Sequence, residues 1–189
     1  MEKALIICDS PKGTEFYTGF LSRGYCENVT VATGADTGRR YIMDNEYDVC
    51  IINAPLKTES GEQLSLEIAE RNECQVILFV PSQNMDEVTA KVENMGVITV
   101  EKPINTTLFS SALKLAQVTQ NRVRMVLEEN KKLRKKMSEM KIVNHAKCVL
   151  VWALGMDETG AHKYIEKQAM DLRMTRVEVA KEVIERYEG

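Results

Sequence analysis

Between Asn105 and Gly155 the sequence carries neither a proline nor a glycine, and no other feature constrains the fold as strongly. Asn105-Thr106 offers N-cap chemistry, so the spacing predicts one continuous helix of about 45 residues, far beyond ordinary globular length. A helix of that length needs something to cover its apolar side. Counting in sevens places Ala116, Val123, Asn130 and Met137 at one seam position, and Thr119, Val126, Leu133 and Met140 at the other. A single asparagine at an a position fixes a parallel pair in register, because its amide finds a partner across the axis and is stranded in other arrangements. A parallel homodimer is therefore expected, with Val123, Val126, Asn130, Leu133, Met137 and Met140 as its dimerisation residues. The alternative is a helix packed against its own domain.

Upstream of this helix the pattern has a different period. Lys3 to Cys8, Asn28 to Thr33, Val49 to Ile52, Val76 to Val80 and Val97 to Val100 are short apolar runs, and helical spacing separates them over Gly34 to Asn45, Gly61 to Glu70 and Met85 to Met95. Runs apolar throughout suit strands covered on both faces. Five such strands alternating with helices predict an α/β fold, a five-stranded doubly wound parallel sheet. Its site belongs at the carboxyl ends of the strands.

Downstream, three helical stretches are expected to form a small bundle. Ile142, Ala146, Val149, Leu150 and Ala153 share a face ending at Gly155. Asp157 caps a second helix, with Met156 and Ala161 as a staple and Tyr164, Ile165, Gln168, Ala169 and Leu172 on its stripe. Thr175 and Glu178 form a capping box for a third, whose core face is Val177, Ala180, Val183, Ile184 and Tyr187. The expected organisation is a sheet domain over 1–115, a coiled-coil helix over 116–141 and a three-helix domain over 142–189. Such a short tail is small for an independent core and would lean on the coiled coil.

Charge is distributed unevenly along the 189 residues. Residues 1–110 hold 9 Lys/Arg against 17 Asp/Glu, and residues 111–189 hold 16 against 11. Residues 121–141 alone hold 8 basic and 3 acidic groups. An acidic domain followed by a segment able to meet a polyanion is one reading, and a solvated charged helix is the other. The longest apolar runs fall short of the roughly 20 residues a bilayer crossing needs, so no membrane association is expected. MEKALIICD lacks the features of a signal peptide, which predicts a cytoplasmic protein. Cys8, Cys26, Cys50, Cys74 and Cys148 form no C-x-x-C pair and are expected to be reduced core thiols. With His145 and His162 as the only histidines, no metal and no cofactor is expected.

The strand ends carry a resemblance to the response-regulator receiver domain. Tyr47-Asp48-Val49-Cys50-Ile51-Ile52-Asn53, with Gly61 following, is similar to the strand-3 pattern of that family, and Lys102-Pro103 to its strand-5 motif. The resemblance implies an acid pair after strand 1, a phosphoacceptor aspartate after strand 3 and a Ser/Thr after strand 4. This chain has Cys8-Asp9, Asn53 and Val80 there, a degenerate phosphoacceptor pocket completed by Lys102. An amide is a poor nucleophile, Asp9 is left as the sole anionic ligand of the acid pair, and valine cannot hydrogen-bond a phosphoryl group. Magnesium binding and phosphorylation are both expected to fail. Lys102 is expected to pair with Asp9.

The tail resembles the ANTAR domain, the output module of the AmiR and NasR antitermination regulators. Ala146-Lys147, Leu150, Gly155-Met156-Asp157-Glu158, Ala161, Tyr164-Ile165, Ala169-Met170, Val179-Ala180 and Ile184 carry it. Cys148 stands where that family usually has glycine, and Glu166 where an arginine is common. The resemblance implies a homodimer that binds tandem stem-loops of leader RNA, and it allows a regulatory protein acting on the receiver domain. Lys147, Lys163, Lys167, Arg173 and Arg176 are the candidate RNA-binding groups, because phosphates need cations. Tyr164 reads as core and His145 as a candidate for stacking. Two other readings stay open, a dimeric protein–protein adaptor and a DNA-binding response regulator. Against the latter, acids outnumber Lys181 and Arg186 in the last helix. No paired carboxylates, nucleophile–base pair or glycine-rich phosphate loop points to an enzyme.

Overall fold

The computed structural model describes residues 1–70 and 74–188. Five strands, β1 (Lys3–Ile7), β2 (Asn28–Ala32), β3 (Val49–Asn53), β4 (Gln75–Pro81) and β5 (Ile98–Lys102), alternate with helices α1 (Pro11–Leu21), α2 (Ala35–Asp44), α3 (Glu62–Glu70) and α4 (Met85–Val92). All neighbouring strands pair in parallel, in the order β2-β1-β3-β4-β5. The chain moves outward in one direction from β1 to β2 and in the other from β3 onward. The switch falls between β1 and β3, where a doubly wound sheet opens its cleft.

Alternation along the strands divides the core into two layers. Leu5, Ile7, Cys50, Ile52, Leu78 and Val80 face Leu64, Ile68, Val88 and Val92 of α3 and α4. Ala4, Ile6, Val49, Ile51, Ile77 and Phe79 face Tyr17 and Leu21 of α1. Phe109, Leu113 and Ala116, from the start of the next helix, complete that second layer. This is the two-sided burial that continuous apolar strands require.

Helix α5 (Thr106–Leu154) runs unbroken for 49 residues. The Asn105 side-chain oxygen caps it by accepting from the backbone N–H of Thr107 at 2.8 Å and Leu108 at 3.3 Å. Gly155 ends it with φ 65°, a left-handed conformation that costs glycine nothing. The chain falls into two compact units, Met1–Met125 and Val126–Gly189, and α5 supplies core residues to both. Ala116, counted in the heptad seam, is fully buried in the first unit. The exposed part of the seam therefore starts later than the spacing predicts.

In the second unit, α6 (Glu158–Leu172) and α7 (Arg176–Glu188) pack with Ala146, Val149 and Leu150 of α5. Asp157 caps α6 through the Gly160 N–H at 2.8 Å. The capping box is present: Glu178 N–H donates to Thr175 Oγ1 at 3.2 Å, and Thr175 N–H donates to Glu178 Oε2 at 2.7 Å. Four expectations change. Val177 and Ala153, placed on core faces, lie outside the packed cluster, and Val179 takes the place of Val177 beside Ala180 and Val183. Leu172, placed on the core stripe, is 51% exposed, because α6 closes on a Schellman turn. There Arg173 sits at φ 56° and Met174 N–H reaches back to the Ala169 carbonyl. Met174 thus folds onto the core in place of Leu172. Cys148 is likewise exposed, unlike the buried Cys8, Cys26 and Cys50, and all five cysteines are free. No described helix is long and apolar enough to cross a membrane.

Candidate receiver pocket and nucleic-acid surface

The strand ends of the first unit bring Cys8, Asp9, Asn53 and Lys102 together as the sequence predicts, and add a residue it does not. Tyr17, fully buried on α1, donates its hydroxyl to Asn53 Oδ1 at 3.0 Å. The Asn53 amide donates to Cys8 Sγ at 3.3 Å, and the Cys8 thiol donates to the Ser10 carbonyl at 3.4 Å. The three bonds run as one donor-to-acceptor chain from the Tyr17 hydroxyl to the Ser10 carbonyl. Burial, reinforced by the nearby Cys8, holds the Tyr17 hydroxyl well above the usual phenol range, so it remains a donor. Gly13 makes the packing possible, since a Cβ there would lie 2.8 Å from Cys8 Sγ and 3.4 Å from Asn53 Nδ2. The signal for Tyr17 was its i, i+4 spacing with Leu21, which an α1 helix buries.

Asp9 and Lys102 do not pair as expected. Asp9 Oδ2 accepts the backbone N–H of Lys57 at 2.6 Å, while the Lys102 ammonium donates to the Ala54 carbonyl. The loop after β3 comes between them and satisfies each separately. Burial pulls the Lys102 pKa below its ordinary value, with Cys8 acting in the opposite direction. Val80 is buried and packs into the core rather than toward the pocket. Beside Asp9 a cleft of about 620 Å³ opens, lined by Thr14, Thr18 and Thr33 among others.

In the second unit the candidate cations divide by environment. Lys147 is largely covered, its side chain 16% exposed, and pairs with Glu158 at 3.1 Å. Arg176 pairs with Glu166 at 3.3 Å. Lys163 and Lys167 are exposed one turn apart on α6, and Arg173 is exposed at the turn that follows. Tyr164 packs against the core. His145 Nε2 lies 3.0 Å from Glu188 Oε1. Along α5, Val123, Val126, Leu133, Met137 and Met140 are 37% to 64% exposed. Asn130 Oδ1 accepts from Arg134 Nε at 2.9 Å within the same helix.

Comparison with known proteins places both units. The first unit shares its fold with the response regulator receiver domain protein from Clostridium thermocellum (TM-score 0.58, 22% identity, 67% of this chain and 99% of that one). A two-component response regulator from Clostridium difficile matches similarly (TM-score 0.57, 21% identity, 64% and 99%). The fold of the first unit is thus that of a receiver domain. Residues 131–184 match the ANTAR domain. The Transcriptional regulatory protein PdtaR of Mycobacterium tuberculosis is 25% identical over 138 residues, covering 73% of this chain and 67% of that protein. The chain thus joins a unit of receiver fold to a segment, residues 131–184, that matches the ANTAR domain.

Proposed function

We propose that this protein is a cytoplasmic, non-enzymatic antitermination regulator that binds stem-loops of leader transcripts as a homodimer, and that its receiver domain does not accept phosphate. The observation carrying the proposal is the ANTAR match over 131–184, which lies within the unit holding the exposed cations. The uncovered Val126, Leu133, Met137 and Met140 support a second copy as partner, since an exposed heptad seam is stabilised when a like helix covers it. Two modules held in register would engage two hairpins with an effective concentration that a single module lacks.

The pocket supports a receiver set by its own hydrogen bonds. Phosphoryl transfer needs a carboxylate nucleophile and hard oxygen ligands for magnesium. Here the amide of Asn53 is occupied by Tyr17 and Cys8, and Asp9 already accepts a backbone donor. A regulatory protein on this domain would supply the input that phosphate does not.

The test is a titration of the purified protein against a two-hairpin RNA, a one-hairpin RNA and duplex DNA of equal length at two salt concentrations. Preference for the two-hairpin RNA that survives the higher salt is expected. Equal binding to all three that disappears with salt would leave only polyanion attraction and remove the proposal.

A further inference from the structure

The only tryptophan of the chain, Trp152, is 80% exposed, near the end of a helix whose other faces have clear uses. Successive helical residues turn by about 100°, so positions four, seven and eleven apart fall on one line. Lys141, His145, Cys148 and Trp152 share such a line, all four are exposed, and exposed Arg134 continues it toward the N-terminus. Ala146, Val149, Leu150 and Ala153 occupy a second face, packed on α6 and α7 or turned toward them. The heptad seam continues through Val151 and Leu154 on a third. Around Trp152 the three faces lie roughly 120° apart, while Arg134 and Lys141 lie about 70° from the seam, beside Leu133 and Met140.

We infer that the Arg134–Trp152 stripe is the surface that reads RNA, with Trp152 stacking on an unpaired loop base while Arg134 and Lys141 meet the phosphates beside it. The inference deepens the RNA-binding reading above and rests on it. A second copy is accommodated by the seam, which Arg134 and Lys141 flank and from which Trp152 points away. Apart from Trp152 and the small Cys148 the stripe carries Arg134, Lys141 and His145, which suits a polyanion better than an apolar partner. Loop bases splay out of hairpins and stack on aromatic rings, and such stacking tolerates many sequences because every base has a π-face. Glu188, held by His145 at 3.0 Å, marks the edge of the stripe. Lys147 lies on the opposite side of the helix, paired with Glu158, and is thereby assigned to the architecture of the second unit.

The solitary indole makes the test direct. The full-length protein is titrated with an RNA pool of two fixed stems bearing randomised loops, and with a loop-free duplex of the same stems. Hairpin RNA should quench Trp152 emission and the duplex should not. Trp152→Ala should weaken hairpin binding about tenfold or more, with duplex binding and the thermal unfolding profile unchanged, and Trp152→Phe should restore most of the loss. Hairpin binding with unaltered emission and a silent Trp152→Ala would overturn the stripe while leaving the RNA reading intact. Emission that instead shifts with protein concentration in the absence of RNA would assign Trp152 to a contact between copies. No preference for hairpins in any loop context would remove the RNA reading and the stripe together.

Discussion

At the level of single residues, replacing one carboxylate changes more than a charge. An aspartate at position 53 would present oxygens to both Tyr17 and Cys8, whereas asparagine offers an oxygen to one and an N–H to the other. Acetyl phosphate with magnesium is therefore expected to leave the intact mass unchanged, and a phosphoryl adduct would refute the proposed inactivity. Tyr17→Phe removes one hydrogen bond from the half-buried Asn53 amide and should lower stability by about 1 kcal/mol, read by urea unfolding. Arg173 occupies a left-handed conformation that a side chain disfavours, so Arg173→Gly should raise stability by about 1 kcal/mol. The loss of RNA affinity in the same variant would reveal whether the guanidinium also touches phosphate. Cys8, Asp9, Asn53 and Lys102 were legible in the sequence because strand ends are legible. Their partners were not. Whether Lys102 reaches Asp9 or Ala54 depends on the path of the loop after β3, and Tyr17 comes from a helix whose local spacing does not announce a polar role.

At the level of elements, caps and seams decide where helices begin, end and associate. The Thr175–Glu178 box was predicted from spacing alone, because its geometry is entirely local. Hydrogen bonds from the Thr175 backbone and hydroxyl hold the Glu178 carboxyl below its ordinary value. A carboxylate with a lowered folded pKa contributes stability above its unfolded value, near 4.5, and loses that contribution as pH falls through the folded one. Helicity should accordingly be more acid-sensitive in the parent than in Glu178→Gln, as circular dichroism across that range would show. The seam of α5 was legible in period but not in extent: Ala116 fits the heptad yet is claimed by the receiver core, and Leu172 fits the α6 stripe yet yields to Met174 across a turn. Tertiary packing overrides a periodic pattern where an element ends. Leu133→Ser with Met140→Ser should convert a dimer to a monomer in sedimentation velocity, and a monomeric parent would remove the coiled-coil reading.

For the whole molecule, the unequal charge of its two parts bears on how RNA affinity responds to salt. Residues 142–189 carry 7 basic and 8 acidic groups, so the tail has little net attraction for a polyanion. The cations concentrate on α5 before it, six of them between Lys131 and Lys141. Removing two of these, by Arg134→Gln with Lys141→Gln, should flatten the slope of log affinity against log salt by about 0.7 per lost phosphate contact. An unchanged slope would place the contacts elsewhere.

The contrast between Cys148 and the other four thiols has a practical side. Cys8 is sealed beneath Gly13, Cys26 and Cys50 are buried with their thiols pushed up, the first to about 11, and Cys74 is held well above its ordinary value. Thiolates are the species that alkylate, and all these sites suppress them or cover them. Cys148 stands in the open, one helical turn from Trp152. A maleimide dye added to the native protein should therefore mark a single, known position, giving an optical ruler beside the indole without a single engineered residue.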